Sequence, residues 1–322
     1  MFPTDFLSLI DLLLILSLAV LIDLTLGEPP NWLHPTVWMG RVILYLKNKI
    51  RSENARIERM NGVLMALSVI MLFSVPIYCI LFLVKGHLGQ IAYITTSAFL
   101  LKPTFAIRCM EQYTLPVAKS IGTGDIERAR QLLHHIVRRD PAKLGSQHII
   151  SATVESIAEG TVDGITSALF YFSLFGVPGA VAFRVINTLD SMAGYKDSEH
   201  INIGWFSARL DSLANYVPAR LTALLMVLAA WLSHENWKSA WKILWRDKNK
   251  TESVNAGWSI STMAGALTVQ LEKPGFYVLG EKKDALSPKH VPRALRVVKL
   301  TVFLFGILVV IPFLILIMVV MR

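Results

Sequence analysis

Three long apolar runs constrain this chain more than any other feature. Residues 6–26, 62–84 and 300–321 each approach the ~20 residues that a helix needs to cross the hydrocarbon of a bilayer. Backbone in that environment must satisfy its own N–H and C=O groups, which only helices and closed barrels achieve. The runs are continuous and do not alternate, so they read as helices, the second kinked at Pro76. Charged residues are 17% of the 322 positions and hydrophobic ones 53%, whereas soluble domains carry about 25% charged residues. The fold expected is all-α, a polytopic integral membrane bundle with short amphipathic helices on its cytoplasmic side. Residues 1–322 should form a single membrane domain, because no linker-like or low-complexity segment offers a cut. A cleaved signal peptide is not expected: Asp5 and Asp11 stand where a basic n-region would be.

The formal net charge of +9 invites nucleic acid as a partner, but the distribution argues against it. Lys and Arg gather in 41–59, 102–143 and 238–299, beside apolar segments. That is the positive-inside pattern, which places these loops in the cytoplasm and the chain in the cell (inner) membrane. Trp237, Trp241 and Trp245 recur among Lys238, Lys242 and Arg246, the pattern of a helix lying on an anionic membrane surface. Residues from 123 onward open a soluble amphipathic helix with Thr123 or Asp125 as its cap. Cys79 and Cys109 each sit in or beside an apolar run, so neither a disulfide framework nor a zinc site is expected. Stretch 88–101 reads as a short tilted span or a re-entrant arm. Stretch 165–186, rich in Gly and holding Pro178, reads as helices packed against protein. Segments 253–257 and 264–267 offer either close helix packing or a ligand wall.

Several carboxylates are hard to explain as surface. Asp11 and Asp23 fall inside the first run, and intramembrane carboxylates usually face the protein interior and carry function. If 151–165 is a helix, Glu155, Glu159 and Asp163 share one face at i, i+4 and i+8. No Lys or Arg occurs between Lys143 and Arg184, so these groups need a distant Arg, a metal or water. A solvated acidic face is the alternative, and the apolar run that follows argues for burial. Asp211 and Asn215 are also i, i+4 and offer oxygen ligands of the kind Mg²⁺ takes. Arg184, Lys196, Arg209 and Arg220 could hold phosphate or pair with the carboxylates. A metal–phosphate site and a structural ion-pair network look alike at this level. No nucleotide-binding glycine fingerprint occurs. His34, in the turn Gly27-Glu28-Pro29, Pro30 to Pro35, reads as an interfacial hydrogen-bonding residue.

These residues form ordered blocks: Asp23, Gly27-Glu28-Pro29, His34-Pro35 and Gly40; Arg139-Asp140; Glu155-Ser156-Ile157-Ala158-Glu159 and Asp163-Gly164; Asn187-Thr188-Leu189-Asp190-Ser191; Arg209-Leu210-Asp211; Asn215 to Arg220; and Asn255-Ala256-Gly257. Over nearly the whole chain they resemble the CobD/CbiB family of adenosylcobinamide-phosphate synthases, membrane enzymes of cobalamin biosynthesis. Gly160 stands where that family usually has Asn, and Phe183-Arg184 where it often has Tyr-Lys. The resemblance implies an ATP-dependent amide bond between adenosylcobyric acid, a corrinoid, and an amino-alcohol phosphate, (R)-1-amino-2-propanol phosphate. Such chemistry needs a divalent metal on the phosphates and cations for the developing charge. The central stretch holds the residue types for it, with Glu155, Glu159, Asp163, Asp190 and Asp211 as the catalytic set; the i, i+4 spacing and the nearby Arg residues make Glu155 and Asp211 the expected Mg²⁺ ligands. Substrate and phosphate binding then fall to Arg184, Asn187, Lys196, Arg209, Asn215, Arg220 and Asn255. ATP enters through the resemblance alone. The carboxylates are expected to converge on one polar cavity facing the cytoplasm, since unpaired carboxylates are costly to scatter through an apolar core. Expected partners are the corrinoid and amine substrates, membrane lipid, and a second copy or the later cobamide-assembly membrane enzymes. The competing reading is a non-catalytic inner-membrane sensor of the β-lactamase-induction type. That family shares a segment like 168–184 but lacks the 187–220 blocks.

Overall fold

The computed structural model describes residues 8–137, 139–195 and 197–320. Its first helix, α1 (Leu9–Leu26), starts in a capping box in which Ser8 and Asp11 bond each other's backbone N–H. Gln90 Nε2 donates to the other oxygen of Asp11 at 2.5 Å, so this carboxylate closes a helix end. Helix α2 (Pro35–Lys49) opens with proline at its first position, where a missing N–H costs nothing. His34 caps it, accepting from Thr36 N–H.

Helix α3 (Ala55–Leu101) has two limbs. The kink expected at Pro76 falls instead at Gly89, whose φ of +80° takes the backbone out of the helix. A residue without Cβ adopts that conformation at little cost. The stretch 88–101 is therefore the second limb of α3, ending in a 3₁₀ turn, Lys102–Thr104. Helices α4 (Ile107–Gly122) and α5 (Ile126–Leu133) follow, and Asp125 caps α5 through Arg128 N–H.

Helix α6 (Ser146–Thr161) runs into a π-helical turn (Val162–Thr166) and then α7 (Ser167–Ala193), itself broken at Gly176. The helix expected over 151–165 is not α-helical throughout: Glu155 and Glu159 lie on α6, whereas Asp163 lies in the wider π turn. The remaining helices are α8 (Trp205–Ala214), α9 (Tyr216–Leu232), α10 (Trp237–Asp247), α11 (Ala256–Leu267), α12 (His290–Phe305) and α13 (Ile311–Val320). Arg293, Arg296 and Lys299 lie on α12 itself. Between α11 and α12 sits an antiparallel hairpin, β1 (Gln270–Lys273) and β2 (Tyr277–Gly280), with Leu271 opposite Leu279. Each strand has four residues, too few for alternation to stand out in the sequence.

The structure is a helical membrane bundle. Among the described residues four stretches are long and apolar enough to cross a bilayer: Leu9–Leu26, Ala55–Gly122, Ser146–Ala193 and His290–Val320. Trp205–Ala214 with Tyr216–Leu232 makes a fifth if the pair is one broken span. The chain divides into two compact units, one from Met1–Ala106, Ser167–Asn215 and Val309–Arg322, the other from Ile107–Thr166 and Tyr216–Leu308. No linker marks them because the chain passes between units at the two-residue connection before α4 and at three helix irregularities: the end of one π turn, the cap residue Asn215, and the interior of a second π turn, Gly306–Val310. The first unit buries Ile15, Ile43, Val69, Leu101, Phe172 and Phe183; the second buries Ile149, Ile157, Leu244, Met263 and Val297. In the second unit a Cβ at Gly265 would lie 2.6 Å from Ser239 O, so this small-residue segment serves close helix packing.

Candidate active site

In the first unit, α7 and α8 build a hydrogen-bonded ladder from the predicted residues. Arg184 donates Nε to the Thr104 carbonyl at 2.8 Å and Nη2 to the same oxygen. Its Nη1 reaches Asn187 Oδ1 at 3.3 Å, and Asn187 Nδ2 reaches Asp211 Oδ1 at 3.4 Å. Asp211 Oδ2 accepts from Asn215 Nδ2 at 3.1 Å, and Asn215 Oδ1 accepts from Ser167 Oγ at 2.6 Å. Helical spacing explains the two short steps, 184 to 187 and 211 to 215, which lie on one face of each helix. Both oxygens of Asp211 thus face neutral amide donors, and a guanidinium is fixed two links away. Asp190 is half-buried on α7, and glycine at 194 makes room for it, since a Cβ there would lie 2.0 Å from Asp190 Oδ1. Arg209 is exposed, with its guanidinium 5.1 Å above the Trp205 ring. Lys196 lies outside the described residues.

In the second unit, Glu155 is 5% exposed and held on three sides. Ser151 Oγ donates to its Oε1 at 2.7 Å and Tyr277 Oη to its Oε2 at 2.8 Å. Arg139 Nη2 lies 3.6 Å from Oε1. Burial, and then the charge of Glu155, pushes the Tyr277 phenol well above its ordinary range, so its O–H remains a donor. Among the described residues Arg139 Nη1 is buried without a hydrogen-bond partner, leaving one donor for an incoming anion. Ser151 also lines a polar pocket of 230 Å³ shared with His148, Glu272, Lys282 and Asp284. Glu159 is exposed and Asp163 half-buried. Arg220 and Asn255 meet in the same unit: Arg220 Nη1 donates to Asn255 Oδ1 at 3.1 Å, and its guanidinium lies 3.3 Å from the centroid of Tyr216 and 4.8 Å from that of Trp258.

One charged cluster was not assigned from the sequence. In the first unit Lys102, 3% exposed, puts Nζ 3.3 Å from Asp23 Oδ1 and 2.7 Å from Glu28 Oε2. His34 Nε2 meets the same Glu28 oxygen at 3.0 Å. Because His34 Nδ1 accepts from Thr36 N–H, Nε2 carries the proton and donates. Burial works to raise the pKa of Glu28, but His34 and Lys102 outweigh it and hold the carboxyl below its usual range. A cavity of 530 Å³ opens beside the cluster, lined by Glu28, Lys102 and Arg184 and by apolar residues including Ile22, Ile77 and Phe99. A signal for Lys102 was present: a lone cation ends the apolar run 88–101, and Asp23 needs a counter-ion inside another such run.

The donor sets fit Mg²⁺ only in part. Among the described residues no group of three or more His, Cys, Asp or Glu could hold a metal ion. A carboxylate that accepts one hydrogen bond per oxygen keeps further lone pairs, and Mg²⁺ commonly binds through one or two carboxylates together with substrate phosphates. Glu155 and Asp211 each fit a metal arriving on phosphates, and neither belongs to a protein-only cage.

The profile of the CobD/Cbib protein family matches residues 16–298. A "Probable cobalamin biosynthesis protein CobD" of Methanothermobacter thermautotrophicus is 42% identical over 303 residues, 92% of this chain and 98% of that protein. A "Cobalamin biosynthesis protein CobD" of Dehalococcoides mccartyi is 40% identical over 281 residues, 87% of this chain and 91% of that protein. One of the same name from Photorhabdus laumondii is 36% identical over 293 residues, 90% and 91% of the two chains. No solved structure matches.

Proposed function

The chain belongs to the CobD/CbiB family, and from that premise we propose that it is the acid–amine ligase of cobalamin biosynthesis that joins adenosylcobyric acid to (R)-1-amino-2-propanol phosphate with hydrolysis of ATP. A carboxylate is a poor acyl donor because its leaving group would be oxide. Transfer of the γ-phosphoryl group to a propionate oxygen forms an acyl phosphate and releases ADP. The amine nitrogen then attacks the carbonyl carbon, loses a proton, and phosphate leaves. The protein's task is to position these groups and to stabilise charge on the phosphoryl oxygens.

The observation that supports this best is the ladder from Arg184 through Asn187 and Asp211 to Asn215, a fixed guanidinium and a fixed carboxylate in a chain of neutral donors. Arg184, Asn187 and Asn215 bind substrate in this reading. Arg209, Arg220 with Asn255, and Lys196 orient phosphate. Asp211 and Glu155 are the two positions assigned to Mg²⁺, which when bound would neutralise phosphate charge. Glu159, Asp163 and Asp190 are assigned to proton transfer from the ammonium. In this reading the chemistry lies on the cytoplasmic side of the cell membrane, the side that clustered Lys and Arg favour, and corrinoid-handling membrane enzymes of later steps, or a second copy of this chain, are the partners it expects.

The test uses detergent-purified protein with both substrates, ATP and Mg²⁺, following adenosylcobinamide phosphate. Asp211→Asn and Glu155→Gln should each lower kcat by about 100-fold or more while corrinoid affinity, read from the visible spectrum, is unchanged, because metal stabilisation acts mainly on the transition state. Near wild-type turnover of both variants at limiting Mg²⁺ makes these residues structural. If wild-type protein neither binds corrinoid nor forms product, the ligase reading falls.

A further inference from the structure

The 530 Å³ cavity of the first unit meets the ladder only at Arg184 and Thr104. Its walls are apolar and come from α1 and from both limbs of α3, through Ile22, Phe73, Ile77 and Phe99. Both helices lie in membrane-crossing stretches, and Leu26 and Phe99 at the wall are 71% and 61% exposed. Trp38, also in the lining, bonds the Trp32 carbonyl through Nε1, and tryptophans of this kind mark the membrane–water interface. Lipid at headgroup depth is the surrounding that such walls suit.

Its polar end is electrically balanced. Glu28 and the Asp23 behind it carry two negative charges, Lys102 and Arg184 two positive ones. Among the described residues Glu28 Oε1 is buried without a hydrogen-bond partner. A buried carboxylate oxygen in that state calls for an N–H or O–H donor, and the cations beside it suit a phosphate. The complementary group is an ammonium next to a phosphate, joined to an apolar body long enough to follow the walls.

We propose that this cavity binds a membrane phospholipid whose head carries a primary ammonium beside its phosphate. The ammonium donates to Glu28 Oε1, the phosphate lies toward Lys102 and Arg184, and one acyl chain runs along Ile22, Ile77 and Phe99. A free amino-alcohol phosphate shares the head chemistry, but it would leave the apolar walls without contact. Choline lipids lack the N–H, and glycerol lipids lack the positive charge.

Native mass spectrometry of the wild-type protein in mild detergent tests this without any turnover. Phosphatidylethanolamine, phosphatidylcholine and phosphatidylglycerol with identical chains are added in turn. Ethanolamine lipid should be retained roughly tenfold or more tightly than the other two, the effect of one hydrogen bond to a charged group. Glu28→Gln should abolish that preference. Ile77→Trp, which fills the apolar half and leaves every charge in place, should release all three lipids. Equal retention of the three headgroups by wild type overturns the proposal, and so does an unchanged preference in Glu28→Gln. Displacement of the lipid by soluble ethanolamine phosphate would assign the head site to a free amino-alcohol phosphate and overturn it equally.

Discussion

Replacing Lys102 by methionine keeps the length of the side chain and removes its charge. In the wild type Nζ sits 3.3 Å from Asp23 Oδ1 and 2.7 Å from Glu28 Oε2. Removing one partner of a buried ion pair costs about 3–5 kcal/mol, because a charge is left uncompensated. Here two carboxylates lose their common cation. Asp23 is fully buried, whereas the Glu28 side chain is 20% exposed, so burial puts more of the cost on Asp23. The expected loss is about 3 kcal/mol or more, a large fraction of the roughly 5–15 kcal/mol that holds a domain together. Unfolding in mild detergent, followed by tryptophan fluorescence, measures it. The triple variant Lys102→Met, Asp23→Asn, Glu28→Gln removes the charges together and should recover most of the loss, since replacing a whole buried network is often neutral. A loss below about 1 kcal/mol in the single variant, or a triple variant as unstable as the single, would refute the account of an uncompensated buried charge.

Three further outcomes are expected. Tyr277→Phe removes the donor 2.8 Å from Glu155 Oε2 and should cost about 1.5–3 kcal/mol. Since the phenol's pKa is raised on folding, its contribution is present below the ordinary tyrosine value of about 10 and is lost only as pH rises through the higher folded value; a wild-type-minus-variant difference that already shrinks below pH ~9 would contradict this. Burial opposes ionisation of Asp247, but Arg246, Lys250 and the Gly280 N–H outweigh it and bring the carboxyl down to about 2 from an ordinary 3.8. A lowered acid stabilises above its unfolded value and ceases to as pH falls through the folded one, so the stability gap between wild type and Asp247→Asn should narrow between pH ~4 and ~2; a constant gap in acid titration counts against it. Gly265→Ala would set a Cβ 2.7 Å from Ala240 Cα and should destabilise by about 1–3 kcal/mol, which a melting curve of the purified variant detects.

Local rules made much of this protein legible. Apolar length marks α1 and the first limb of α3 as membrane-crossing, and the Asp125 cap and the 211–215 spacing are readable because each depends on residues within one or two helical turns. The family blocks named Asn187, Asp211 and Asn215, and Arg184 stood out as a cation beside them, before the ladder joined the four. What the sequence could not determine is which groups answer the buried charges. Glu155 receives Tyr277 from 122 positions away, Asp23 and Glu28 share Lys102 from the far end of α3, and Arg139 reaches Glu155 from the loop before α6. No periodicity specifies such pairs, because a buried charge can be satisfied by any cation or donor that the packing brings within about 3–4 Å. The π turn at Val162–Thr166 escaped for a related reason: widening one turn of helix is a choice that belongs to the packing around it. Propensity and pattern act over a few residues. Compensation of charge in an apolar interior acts over whatever distance the fold closes, and only the tertiary structure decides it.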